Sequence, residues 1–313
     1  MPMLIAIACA GFVAQLVDGS LGMGYGVTST SLLLTIGLTP ALASASVHLA
    51  EIGTSGISGF SHWRLGNVNG RVLLLMGIPG GIGAFLGAVV LSNLTLDAAR
   101  PMVSLVLLAL GGAILFRFLH GRRVAAQIAE ATALADRGIA PAAKPERRAR
   151  SWMLVPLGLV GGFMDASGGG GWGPVTTSTM LAASRMRPRT IIGTVSGSEF
   201  IVSIAASTGF LFALGSAGID PAIVAMLLLS GAVAAPLSAF LVSRFDDRSL
   251  GTAVGALIIF LNVDRVLPLF GLDPAIGFAI RLGVGVAAFV VVGGLVLRAR
   301  ARRAAAGSAA SAA

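Results

Sequence analysis

Charge is scarce in this sequence: Asp, Glu, Lys and Arg make up 11% of its 313 residues, against 56% hydrophobic. A soluble domain carries about a quarter charged residues, so this composition excludes an ordinary water-facing globule. A mean hydropathy of +0.91 places the chain in a bilayer as a multi-pass protein. Cysteine is nearly absent as well. Cys9 stands alone in an apolar run, which excludes an intramolecular disulfide framework and a thiolate cluster. No basic residue precedes the first apolar run and no small-residue cleavage site follows it, so residue 1 is expected to stay. A net charge of +9 raises the question of nucleic acid. The arginines, however, sit in short segments between apolar runs, which is the pattern of topology signals, and no nucleic-acid partner is expected.

What the chain does have is long apolar runs. Runs near the ~20 residues needed for a crossing lie at 41–60, 71–92, 100–119, 189–214, 219–242, 248–270 and 274–298. Two others, 3–37 and 152–184, are too long for one plain crossing, and each is interrupted by glycines near its middle. The interruptions are Asp18-Gly19-Ser20-Leu21-Gly22-Met23-Gly24-Tyr25-Gly26 and Asp165-Ala166-Ser167-Gly168-Gly169-Gly170-Gly171-Trp172-Gly173-Pro174. One offset lays Asp18 on Asp165, Ser20 on Ser167, and Gly22, Gly24 and Gly26 on Gly169, Gly171 and Gly173, with Tyr25 on Trp172. Each glycine costs about 1 kcal/mol against alanine in a helix, so the helix is expected to open at both places. Inside a membrane the freed backbone groups must then find protein, water or ligand.

Positive charge sets an orientation. Residues 117–150 hold Arg117, Arg122, Arg123, Arg137, Lys144, Arg147, Arg148 and Arg150, and the tail holds Arg298, Arg300, Arg302 and Arg303. By the positive-inside rule both are cytoplasmic. Counting crossings backward from each makes 152–184 enter and leave by the inner face, as a hairpin with its glycines at the tip, and makes 3–37 do the same from the outer face. All 22 basic residues except Arg100, Arg265 and Arg281 then fall inside. After a one-residue slip the repeat continues, with Pro40 on Pro188, Val47 on Val195, Glu51 on Glu199 and Ser55 on Ser203. The expected fold is therefore all-α: a polytopic membrane protein of two inverted-topology repeats, each a Gly-rich broken re-entrant hairpin plus three transmembrane helices, with one extra C-terminal transmembrane helix. Its expected divisions are a first membrane repeat 1–119, a basic cytoplasmic linker 120–150 with a short surface helix around 121–135, a second membrane repeat 151–271, the extra transmembrane helix 272–298, and a cytoplasmic tail 299–313.

Two converging hairpin tips bring helix N-termini, each worth about half a positive charge, and glycine-rich N–H nests of the kind that hold oxyanions. The expected substrate-binding set is Ser20, Gly22, Gly24, Gly26 and Thr30 with Ser167, Gly169, Gly171, Trp172, Gly173 and Thr177. The competing account is that the glycines serve close helix packing, and that Trp172 and Tyr25 merely pack. Glu51 and Glu199 fall near the middle of their crossings, where carboxylates are expensive and mark functional hypotheses. His48, one turn before Glu51 on the same helical face, is its expected partner. In the protonated form such a pair does not repel an anion, and Glu51, Glu199, His48, Asp18 and Asp165 are the expected proton-coupling set. Against this stands a structural account, in which the glutamates are neutral hydrogen-bonding groups and Asp18 and Asp165 cap the re-entering helix starts. Arg265 and Arg281, beside Asp264, form an ion pair or guide the substrate. Arg64 and the 185–189 cluster are topology signals that also concentrate an anion at the inner mouth. No metal and no cofactor are expected.

The twin glycine patterns, the second running from Gly162 to Pro174, together with His62-Trp63-Arg64-Leu65-Gly66-Asn67-Val68, resemble the TauE/SafE sulfite exporter family, also called the toluene sulfonate uptake permease family. The resemblance covers nearly the whole chain apart from linker and tail. It implies a carrier in a prokaryotic inner membrane for sulfur-containing anions such as sulfite or organosulfonates, driven by the proton gradient. The expected function is a secondary active transporter, in the exporting direction, with a small anion, protons and the lipid bilayer as partners. Its oligomeric state is left open, with a homodimer as one option. The alternatives are a carrier of another small organic anion and a passive anion channel, whose flux ignores the proton gradient. An intramembrane hydrolase using Ser20 or Ser167 with His48 lacks the Gly-x-Ser-x-Gly elbow such chemistry employs.

Overall fold

The computed structural model describes residues 2–120, 151–184, 186–215, 219–244, 247–271 and 274–311. The expected linker and its helix around 121–135 lie outside the described residues. The first half comprises α1 (Pro2–Leu21), α2 (Tyr25–Ile36), α3 (Pro40–Arg64), α4 (Gly70–Asn93) and α5 (Leu96–His120). The second comprises α6 (Ser151–Gly168), a π-helical turn (Gly173–Thr177) running into α7 (Ser178–Ala183), then α8 (Pro188–Leu214), α9 (Pro221–Arg244) and α10 (Asp247–Val266). A 3₁₀ turn (Leu267–Phe270) leads to α11 (Pro274–Ser311).

Local sequence sets the helix starts. Thr39 precedes Pro40 and its Oγ1 accepts from the Leu42 N–H at 3.4 Å, and Asn69 Oδ1 accepts from the Val72 N–H at 3.1 Å. Both are side-chain caps for otherwise orphaned donors. Pro40, Pro188, Pro221 and Pro274 each open a helix, where the missing N–H has no partner to lose.

Seven of the described helices are long and apolar enough to cross a membrane, including α1 by itself over Pro2–Leu21. The 25-residue α3 is not among them. It is long enough, but Ser44, Ser46, His48, Glu51 and Ser55 are buried within the protein, and α3 faces neighbouring helices more than lipid. α11 runs on through most of the expected tail to Ser311, because alanine and arginine are good helix formers.

The halves exchange arms. α6 packs along α4, and a Cβ on Gly162 would stand 2.0 Å from the Gly80 carbonyl oxygen. α1 packs along α9 in the same parallel sense, Gly11 against Leu227 and Gly19 against Ser238. Such backbone approach is how apolar helices gain contact where lipid offers no hydrophobic drive. The counterpart helices α3 and α8 run antiparallel, with Gly56 against Phe200, Gly59 against Gly197 and Gly193 against His62. So do α5 and α10, with Gly111 against Ile258 and Gly251 against Phe118. A two-fold relation with antiparallel partners has its axis across the helices rather than along them.

Candidate functional site

Both glycine-rich breaks open the helix, and both turn the chain back on itself. Gly22 (φ 68°) and Gly24 (φ 111°) make the first turn, and Gly169 (φ 74°) and Gly170 (φ 135°) the second, a left-handed backbone open mainly to glycine. An aspartate closes each. Asp18 Oδ1 accepts from the Tyr25 N–H at 3.3 Å, and Asp165 Oδ1 from the Trp172 N–H at 2.8 Å. This is the expected capping geometry, and it gives each helix start a carboxylate of its own.

The two tips meet. A Cβ on Gly170 would lie 2.2 Å from the Val27 nitrogen, and one on Gly26 would stand 2.8 Å from Gly170 Cα and 3.0 Å from Glu51 Oε1. Thr30 Oγ1 donates to the Gly169 carbonyl, giving a buried acceptor its partner. Beside this junction lies a cavity of about 310 Å³. The first hairpin contributes Gln15, Asp18, Gly19, Gly22, Met23 and Tyr25. From α3 come Glu51, Thr54, Ser55, Ser58 and His62, from α8 Ile192, Val195, Ser196 and Glu199, and from the second hairpin Gly173. Three carboxyl groups thus face one space, and no arginine or lysine is among its lining residues.

Of the expected binding set, Gly22 and Gly173 line the cavity. Gly26, Thr30 and Gly169 build the junction beside it, while Gly24 caps α2 and Gly171 packs against Leu110 and Asp165. Ser167 Oγ donates to the Phe163 carbonyl of its own helix at 2.6 Å. Ser20 Oγ and Thr177 Oγ1 are buried without hydrogen-bond partners and are not among the lining residues. The aromatic pair divides its roles. Tyr25 lines the cavity and donates to the Leu227 carbonyl at 3.3 Å. Trp172 is fully buried and donates from Nε1 to the Val195 carbonyl at 3.2 Å.

His48 has a different partner from the one its spacing suggests. Its Nδ1 lies 2.8 Å from the Ser44 carbonyl, and its Nε2 lies 3.2 Å from Asp165 Oδ2, across the repeat boundary. The helix-face argument identifies a neighbour in sequence, whereas the second hairpin delivers Asp165 from outside it. A carbonyl only accepts, so Nδ1 carries hydrogen. Nε2 and Asp165 then form a hydrogen bond only when one of them holds a proton. Glu51 Oε2 is buried without a hydrogen bond, and ligand atoms of His48, Glu51 and Asp165 lie within 4.8 Å of one another. One imidazole and two carboxylates are also a donor set that a divalent cation can use.

Outside the cavity, Arg281 pairs with Asp264 at 2.9 Å, the structural ion pair among the two accounts of that region. Thr54, Ser55, Ser58 and His62 follow Glu51 about one turn apart, a polar stripe that is legible in the sequence as the cavity wall but is missing from the expected site. Arg117 reads in the sequence as a topology signal alone, yet it reaches Met23 at the first tip.

A chain whose described residues form helices alone, seven of them long and apolar enough to span a bilayer, with two broken hairpins joined at their tips, is a multi-pass membrane protein. It belongs to the TauE/SafE sulfite exporter family and is a membrane transporter: the family model described as "Sulfite exporter TauE/SafE" matches residues 7–264, leaving out α11. The chain is 46% identical over 267 residues to "Probable membrane transporter protein YtnM" of Bacillus subtilis (strain 168), covering 85% of this chain and 84% of that protein. No solved structure matches it significantly.

Proposed function

We propose that this protein is a proton-coupled secondary transporter of a small sulfur-containing anion such as sulfite or an organosulfonate, in a bacterial cytoplasmic membrane. The substrate class and the exporting direction come from the family's description. The observation that carries the coupling is the junction of the two hairpin tips beside a cavity lined by Asp18, Glu51 and Glu199. An anion enters such a space only when the carboxyl groups are neutral, because like charges in a poorly screened cavity repel strongly. Protonation and anion occupancy are then linked, which is the requirement for coupled transport. With the linker and C-terminus cytoplasmic, the antiparallel counterparts make the two halves inverted repeats, the plan that supports alternating access around a midplane site.

The test is flux of sulfite and methanesulfonate in proteoliposomes with and without an imposed pH gradient. Wild-type flux is expected to follow the gradient, and Glu51→Gln and Glu199→Gln to uncouple it. Flux indifferent to gradient and substitutions alike would leave the carboxylates structural and put a passive anion channel first.

A further inference from the structure

An acid-lined cavity leaves an anionic substrate without a counter-charge, and the repeat supplies one. The offset that lays Glu51 on Glu199 also lays Arg117 on Arg265. Arg117 stands near the end of α5, at the same end of the molecule as His62, since α4 runs away from that end and α5 returns to it. Its Nη1 donates to Ser178 Oγ at 2.7 Å, in the outgoing arm of the second hairpin, and lies 3.3 Å from Sδ of Met23, a residue lining the cavity. Arg265, near the end of α10, donates from Nη2 to Thr35 Oγ1 at 3.0 Å, in the outgoing arm of the first hairpin. Its Nη1 donates to the Leu261 carbonyl at 2.7 Å and to Asn262 Oδ1 at 3.2 Å. Each guanidinium therefore rests, through a hydroxyl, on the hairpin of the opposite half, one toward each end of the molecule.

Among the described residues these hydrogen-bond acceptors are all neutral, while the adjacent Asp264, close enough to attract Arg265, gives its Oδ2 to Arg281. An arginine in a membrane-embedded helix is costly and is found paired or facing a water-filled pathway. Its planar fork of donors matches two oxygens of a sulfur oxyanion better than a thioether and a hydroxyl do. We propose that Arg117 and Arg265 are paired anion-binding residues: Arg117 takes the oxyanion at the His62 end of the cavity, where Met23 stands between them, and Arg265 is its counterpart at the other end. This rests on the anion reading above and names the residues that hold the anion.

The experiment is equilibrium titration of the purified full-length protein in lipid nanodiscs with sulfite, methanesulfonate and sulfate, followed by calorimetry. Wild type is expected to bind at least one of them. Arg117→Gln is expected to weaken that Kd by about tenfold to a hundredfold, the worth of a charge-assisted hydrogen bond. Arg117→Lys should fall between, keeping the charge and losing the fork. Arg265→Gln is expected to weaken the Kd as well and to slow exchange of labelled anion across proteoliposomes, and a folded Arg265→Gln with wild-type Kd and exchange rate would overturn its half of the assignment. If Arg117→Gln elutes and melts like wild type and binds with the same Kd, the arginine assignment is overturned and the anion reading stands. If Arg117→Gln does not fold, the uncharged Arg117→Met takes its place, and a wild-type Kd there overturns the assignment equally. A wild type that binds none of the three anions overturns both readings.

Discussion

Asp18 and Asp165 each hold a hairpin together with one oxygen, but they are not equivalent. The second oxygen of Asp165 meets His48, and both residues are buried. Replacing an N-cap aspartate by alanine costs about 1 kcal/mol. Asp18→Ala is expected to show a loss of that order, and Asp165→Ala a larger one, because the imidazole also loses its acceptor. Thermal unfolding in one detergent measures the difference, and equal shifts would contradict the His48 contact. Gly170 is the most constrained position, since its φ of 135° and the Val27 nitrogen, 2.2 Å from where a Cβ would stand, both exclude a side chain. Gly170→Ala is expected to lower stability by at least about 1–2 kcal/mol, the cost of a left-handed backbone for an L-residue. Gly112, which has nothing within 4 Å of an added Cβ, is the control. Gly112→Ala should leave the melting temperature unchanged or raise it slightly.

At the scale of elements, α3 carries a wall of the cavity and buries Ser44, Ser46, His48, Glu51 and Ser55 against its neighbours. Ser58 faces the cavity at the His62 end. In a Cys9→Ser background, Ser58→Cys is expected to react with a polar maleimide from the cytoplasmic face alone, and more slowly with bound anion. Labelling from the outer face alone would reverse the orientation proposed from the arginines. The α4–α6 seam relies on glycine for closeness rather than for turning. Gly162→Leu places atoms on the Gly80 backbone and is expected to abolish monodisperse protein on size exclusion. A well-behaved variant would show that this seam can open without loss of fold.

For the molecule as a whole, the working unit is the pair of interlocked halves, in which each hairpin packs on a helix of the other half. α11 stands outside it. It packs on α10 and the turn that follows, and the family match ends before it begins. A chain ending at residue 271 is therefore expected to keep anion flux in proteoliposomes. Complete loss of flux with protein still in the membrane would assign α11 a part in the cycle.

The sequence by itself determined the solvent, the helices, the two broken hairpins and the offset that pairs Asp18 with Asp165 and Glu51 with Glu199. These follow from local composition: apolar length sets a crossing, glycine density opens a helix, and a repeat is visible as a repeat. It did not determine which side chains meet. His48 lies one turn from Glu51, yet its ring nitrogen faces Asp165, because the second hairpin enters from the other half of the chain. Arg117 counts by sequence among the basic topology signals of 117–150 and by position stands at the first hairpin tip. Contacts of that kind depend on how two hairpins dock tip to tip and on the long reach of arginine, and only the tertiary structure decides them.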